Sequence, residues 1–222
     1  FLLKKAKKVI AVEKDHSFFS LLREQYKNIE NLEIVEGDIL KIFNFQSASW
    51  RIISKQFPNH NFQFPKKYSI VANLPYYITS RFLRIFLEEM PRKPQSMTLM
   101  VQKEVAERIC AKPPHMNLLA LSVQAFGKPK ILFRVSRGNF SPPPEVESAV
   151  IQILDISDNF FKKNRVSPKE FFKLPKKAFS QKRKMLRSSL AAPEIRLPEI
   201  IANKRPQELG LEEWILVLRG LQ

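Results

Sequence analysis

Tyr68-Ser-Ile-Val-Ala-Asn-Leu-Pro-Tyr-Tyr77 is the stretch from which the organisation of the chain can be read. Residues 68–72 make a short, largely apolar run of strand length, and the polar Asn73 ends it. Pro75 has no N–H and disfavours helical geometry at Leu74, so the backbone is expected to stay extended with its carbonyls unpaired. The Asn73 side-chain oxygen and a neighbouring carbonyl then offer two acceptors, which suit both protons of an exocyclic amino group. Tyr76 offers a flat face for a heterocyclic base. Such chemistry needs no catalytic Ser, Cys or His. The same residues also fit a strand-ending turn with Tyr76 and Tyr77 packed inward. Four residues alone do not choose.

Outward from this stretch, strand and helix patterns alternate. Val9-Ile-Ala-Val12 reads as a strand ending in Glu13, and Leu32-Glu-Ile-Val35 as another, followed by Glu36-Gly37-Asp38. Between them, Phe18, Leu21, Leu22 and Tyr26 recur at helical spacing over 16–27. Residues 44–67 read as a long irregular connection. Beyond Tyr77 the pattern predicts a helix over 79–89, a strand over 97–101, and helices over 103–111 and 118–126. Strands follow at 131–135 and 149–154, flanking Asn139-Phe-Ser-Pro-Pro-Pro144. That proline-rich connection holds no helix, so the last two strands are expected to form an antiparallel hairpin at one edge. The remainder predicts an α/β domain with a largely parallel sheet. After about Asp158 only short helices are expected. Ligands of open parallel sheets bind at the carboxyl ends of the strands, where Glu13, Asp38 and Asn73 all fall. Each acid alone fits a solvated turn equally well; three polar residues in consecutive units are harder to dismiss.

Charge narrows the partner. The 222 residues carry 38 Lys and Arg against 21 Asp and Glu, a surplus of 38 − 21 = +17. Such an excess repels itself and points to a polyanion, either nucleic acid or an anionic membrane surface. Residues 161–190 hold eleven Lys or Arg and one acid, Glu170, which favours RNA. Within them, Lys182, Arg183, Lys184 and Arg187 are candidate phosphate contacts, with Lys184 and Arg187 expected on one helical face. No apolar run approaches the roughly 20 residues of a membrane span. The lone Cys110 excludes an internal disulfide, and no Cys/His cluster has zinc spacing, so a metal-free protein of a reducing compartment is expected. Only five glycines are present, none spaced as a phosphate-cradling loop.

Six stretches together resemble one family. They are Val9-Ile-Ala-Val-Glu-Lys-Asp15, Glu36-Gly-Asp38, Asn73-Leu-Pro-Tyr-Tyr-Ile78, Val101-Gln-Lys-Glu-Val-Ala-Glu-Arg108, Asn139-Phe-Ser-Pro-Pro-Pro-Glu-Val-Glu-Ser-Ala-Val150 and Ala178-Phe-Ser-Gln-Lys-Arg-Lys-Met-Leu-Arg-Ser-Ser-Leu190. In this order they resemble the S-adenosylmethionine-dependent adenine N6,N6-dimethyltransferases of small-subunit ribosomal RNA. The resemblance implies a Rossmann-like class I methyltransferase sheet with helices on both faces over 1–157. It implies a small all-helical, basic RNA-binding domain over 158–222. It assigns Glu13 to the cofactor ribose hydroxyls, Asp38 to the cofactor adenine, and Asn73 to the target amino group near the transferred methyl. Leu74 and Pro75 complete the catalytic motif, and Tyr76 and Phe140 stack the target base. It further implies S-adenosyl-L-methionine as methyl donor, no metal, a monomer in the cytoplasm, and the small ribosomal subunit precursor as partner.

The chain departs from that pattern in places. It opens without Met, inside what reads as a helix, and the family's glycine-rich loop is expected upstream of Phe1 in roughly 40–50 further residues. Lys112-Pro-Pro-His-Met-Asn117 replaces a smaller, glycine-containing loop. Two alternatives stand beside the family reading. One is the related large-subunit RNA adenine methyltransferase, whose motif usually has Ile after Asn. The other is a non-catalytic RNA-binding assembly factor on a decayed methyltransferase fold.

Overall fold

The computed structural model describes residues 1–41, 67–191 and 197–220; the expected long connection over 44–67 lies almost wholly outside them. Two compact units divide the chain, Phe1–Lys66 and Lys67–Gln222.

In the first unit, strands β1 (Val9–Glu13) and β2 (Leu32–Glu36) pair in parallel, with Glu13 opposite Glu36. Helix α1 (His16–Gln25) joins them. Asp15 starts α1 because its carboxylate accepts from the Ser17 and Phe18 N–H groups, two donors that the first turn cannot satisfy internally. The expected opening helix is a 3₁₀ turn, Leu2–Lys4.

The second unit is built on a four-stranded sheet in the order β3-β4-β6-β5. Its strands are β3 (Ser69–Asn73), β4 (Ser96–Gln102), β5 (Lys128–Val135) and β6 (Ser148–Leu154). β3 and β4 are parallel, whereas β6 runs antiparallel to both β4 and β5. The parallel pairings β1–β2 and β3–β4 and the antiparallel β5–β6 hairpin are as expected; the difference is that β6, not β5, is the strand that pairs with β4. The connection 136–147 holds no more than a 3₁₀ turn and returns the chain antiparallel to β5. β6 then inserts beside β4 instead of staying outside β5. Met97, Leu99 and Val101 of β4 and Ala149, Ile151 and Ile153 of β6 are fully buried, as period-2 alternation requires.

Helix α2 (Thr79–Arg84) follows β3, but the helix expected over 79–89 changes to π-helical winding at Ile85–Glu89. Ile85, Phe86 and Leu87 are consecutive and all buried, which a regular 3.6-residue turn on a single face does not allow. Helices α3 (Lys103–Ile109) and α4 (Leu118–Gln124) pack near the strands. The tail is helical as expected, with α5 (Asn159–Asn164), α6 (Pro168–Phe179), α7 (Leu186–Ser189), α8 (Glu199–Ala202) and α9 (Leu211–Arg219). A run of ring contacts holds it: Phe126–Phe161 at 4.8 Å, Phe160–Phe171 at 5.2 Å and Phe171–Phe172 at 5.0 Å between centroids. Phe126, just after α4, thus ties the tail to the strand-bearing part.

Ser167 opens α6 through a reciprocal capping box with Glu170. Ser167→Ala is expected to cost about 1 kcal/mol of stability, read as a lower urea midpoint. An unchanged midpoint would show that the cap contributes nothing. Among the described residues, no helix is long and apolar enough to cross a membrane.

Candidate active site

The turn after β3 follows from its residues one at a time. Leu74 is buried and continues the sheet for one more hydrogen bond, its N–H donating to the Met100 carbonyl at 3.3 Å. Pro75 then holds an extended conformation (φ −54°, ψ 131°), and Tyr76–Ile78 closes into a 3₁₀ turn. The carbonyls are not all unpaired: that of Pro75 accepts from the Ile78 N–H at 3.1 Å. The Leu74 carbonyl accepts no hydrogen bond among the described residues, and neither does the exposed Asn73 side chain. Two acceptors of different origin thus lie on adjacent residues.

The two tyrosines diverge. Tyr77 is 81% exposed, which removes the reading in which both rings pack inward. Tyr76 is half-buried, and its hydroxyl lies 2.7 Å from the Ser148 Oγ. Ser148 opens β6, and because β6 is antiparallel it lies at the same sheet end as Asn73 and Gln102.

Phe140 sits half-buried in the loop that leads into β6, after a 3₁₀ turn at Arg137–Asn139. The loop is fastened at several points. Arg137 Nη1 donates to the Glu145 carbonyl at 3.2 Å, and the Lys103 N–H donates to the Glu147 carbonyl at 2.9 Å. Lys103 Nζ also bonds the Glu147 carboxylate at 2.6 Å, which holds that carboxyl below its usual range. With its folded pKa depressed, this bond contributes above the ordinary carboxylate range and is lost as pH falls through the lowered value. No hydrogen bond or ring contact joins Phe140 to Asn73 or Tyr76 among the described residues.

In the first unit, Glu13 and Asp38 lie at the carboxyl ends of β1 and β2. Glu13 Oε1 accepts from the Asp15 N–H at 2.8 Å, which leaves Oε2 without a partner among the described residues. Asp38 Oδ1 accepts from the Leu40 N–H at 3.0 Å, and Oδ2 faces Lys14 Nζ at 3.4 Å. Each carboxylate keeps spare lone pairs, so the set fits hydroxyl and amino donors of a nucleoside.

The basic cluster is arranged differently from expectation. α6 ends at Phe179, Lys182 and Arg183 lie in a turn, and Lys184 lies in a bend. Met185 is extended (ψ 156°), and Arg187 belongs to the separate α7. Lys184 and Arg187 therefore do not share a helical face. The chain breaks there because Leu186 is fully buried and its N–H donates to the Lys204 carbonyl at 2.8 Å. All four cations remain exposed. Of the eleven basic residues in 161–190, only Lys163 has a carboxylate within reach among the described residues, Glu212 at 3.9 Å. The charge is not consumed by internal pairing.

Residues 1–203 match the family model described as ribosomal RNA adenine dimethylase. The chain belongs to that family. A ribosomal RNA small subunit methyltransferase A of Dehalococcoides mccartyi (strain CBDB1) is 40% identical, over 96% of this chain and 71% of the relative. One from Alkaliphilus oremlandii is 35% identical, over 99% of this chain and 76% of that protein. The crystal structure of a dimethyladenosine transferase from Plasmodium falciparum superposes with a TM-score of 0.75 at 25% identity, over 97% of this chain and 82% of the other. The 23S rRNA methyltransferase ErmE gives a TM-score of 0.73 at 19% identity, over 99% and 84% of the two chains. This shows the shared fold and no more. The fold of this adenine dimethylase family member is thus the Rossmann-like α/β methyltransferase fold. Sequence reasoning passed over two residues at the end of the sheet where β3 stops, Ser148 and Lys103. Neither type in that setting carries a chemical signal; their partners Tyr76 and Glu147 are remote in sequence.

Proposed function

We propose that the enzyme dimethylates N6 of adjacent adenines in a 3′-terminal hairpin of small-subunit ribosomal RNA, as part of small-subunit biogenesis in the cytoplasm. The observation that carries this reading is the pair of acceptors without partners among the described residues, Asn73 and the Leu74 carbonyl, beside Tyr76 in a chain of the adenine dimethylase family. The names of its relatives support the small subunit over the large one.

When bound, S-adenosyl-L-methionine supplies an electrophilic methyl group on a sulfonium. Glu13 accepts hydrogen bonds from the ribose hydroxyls and Asp38 from the adenine amino group of that cofactor. Asn73 Oδ1 and the Leu74 carbonyl accept the two N6–H groups of the target adenine. Their pull redirects the lone pair, otherwise delocalised into the purine, toward the incoming methyl. Pro75 keeps the turn extended, so this geometry is set before the base arrives. Tyr76 and Phe140 stack the base, which must leave its own stack to reach them. Phe140 sits in a proline-stiffened loop, so holding its ring costs little entropy. The surplus amine proton leaves after transfer, and no strong general base is needed. A monomethylated amine, which keeps one N–H, re-enters the site and donates it to one of these acceptors for the second transfer. Residues 158–222 act as the RNA-binding domain of a monomer, with Lys182, Arg183, Lys184 and Arg187 on phosphates.

Tritiated-methyl incorporation into undermethylated small subunits tests the reading. Incorporation into the 3′-terminal hairpin is expected; incorporation only into large-subunit RNA, or none at saturating RNA, refutes it in favour of one of the alternatives. Tyr76→Ala in this assay is expected to cost about 1–3 kcal/mol in kcat/KM, the range for an aromatic platform under a base. Parental kcat/KM would remove Tyr76 from the stack.

A further inference from the structure

We propose that Ser148 is a positioning residue: its hydroxyl holds the Tyr76 ring in the attitude that receives the target base. The inference rests on the reading of Tyr76 as the stacking platform, and concerns what keeps that platform in place.

Ser148 is fully buried, and a buried hydroxyl requires a partner. Its Oγ finds one in the Tyr76 hydroxyl at 2.7 Å. The anchor itself does not move easily. Ser148 pairs with Gln102 of β4 on one side and with Val135 of β5 on the other. The residue before it, Glu147, is bonded through its carbonyl and its carboxylate to Lys103. Asn73 is referred to the same frame, since Asn73 pairs with Met100, and Met100 with Val150 of β6. The acceptor and the ring anchor are therefore fixed against one another through three paired strands.

A tyrosine side chain turns about two bonds, and rotation about the first swings the whole ring. A hydrogen bond at the far end of the ring stops that swing while leaving the ring face open. Tyr77 shows the contrast: it is the next residue, has no such tether among the described residues, and projects into solvent. On this geometry the tether contributes little to the area stacked and much to where the base is held. A misplaced base lowers the rate of transfer more than it weakens binding.

The test is a double-mutant cycle in the enzyme with Tyr76→Phe, Ser148→Ala and the double variant, read in methyl transfer to undermethylated small subunits. Tyr76→Phe breaks the bond from its half-buried end and keeps the ring, so it reports even if Ser148→Ala folds poorly. Each single change is expected to lower kcat by about three- to tenfold, as for the loss of one hydrogen bond, with KM little changed. The double variant should be no slower than the worse single, because the two changes remove one interaction. Tyr76→Ala and Asn73→Ala run beside them. If Tyr76→Ala is impaired while Tyr76→Phe keeps parental kcat, the platform stands and the role of Ser148 is overturned. Losses that add in the double variant overturn it too, since they show two independent structural effects. If Tyr76→Ala itself keeps parental activity, the stacking reading fails first, and the positioning role with it.

Discussion

Asn73→Ala is expected to lower methyl transfer by about 10²–10³, the usual cost of losing one preorganised polar group at a reacting centre. The change removes the Oδ1 acceptor and leaves the rest of the turn intact. Leu74 keeps its bond to Met100, Pro75 keeps its backbone, and Tyr76 keeps its bond to Ser148. The Asn73 side chain makes no hydrogen bond among the described residues, so its loss orphans nothing and stability should hold. RNA affinity should also hold, because phosphate contacts dominate it. The signature is therefore a loss in kcat with the RNA dissociation constant and the urea midpoint unchanged. Transfer at the parental rate with normal RNA binding would remove Asn73 from the active site and favour the assembly-factor reading.

The second large effect is expected at the basic cluster. Changing Lys182, Arg183, Lys184 and Arg187 together to Gln should flatten the slope of log affinity against log salt by about 3, since each phosphate contact contributes about 0.7–0.9. Affinity for small-subunit RNA should fall most at low salt. All four side chains are exposed, and none has a carboxylate partner among the described residues, so the fold should tolerate their removal. Filter binding across a salt series is the measurement. An unchanged slope would move the RNA footprint to another surface. Because the four lie on a turn, a bend and a separate short helix, single changes should contribute unequally, unlike evenly spaced positions on one helix face.

Much of this molecule is local and was legible as such. Strand alternation at β4 and β6 is a period-2 pattern written directly in Met97, Leu99, Val101 and Ala149, Ile151, Ile153. The turn after Asn73 follows from the covalent geometry of Pro75, which acts on its immediate neighbours whatever the rest of the chain does. The excess of cations over 161–190 is likewise a property of composition. The family resemblance supplied roles for Glu13, Asp38 and Phe140 that the residue types alone left open.

Only the tertiary structure decided how distant pieces meet. Helical spacing placed Lys184 and Arg187 together, but burial of Leu186 and its bond to Lys204 broke the helix between them. A regular helix is expected through Glu89, yet Ile85–Glu89 winds as a π-helix with Ile85, Phe86 and Leu87 all buried. The phenylalanines of the tail gave no sign in the sequence that they would join Phe126 as a core. Ser148 stands 72 residues from Tyr76, and although it lies in one of the family-like stretches, nothing along the chain pairs the two. It meets Tyr76 only because β6 inserts antiparallel beside β4 and carries its first residue to the end of the sheet where β3 stops. Dihedral preference and periodicity act over a few residues, so they can be read along the chain. Which strands pair, and which buried hydroxyl finds its partner, depends on chain closure and on satisfying every buried group at once, and the folded chain alone resolves that.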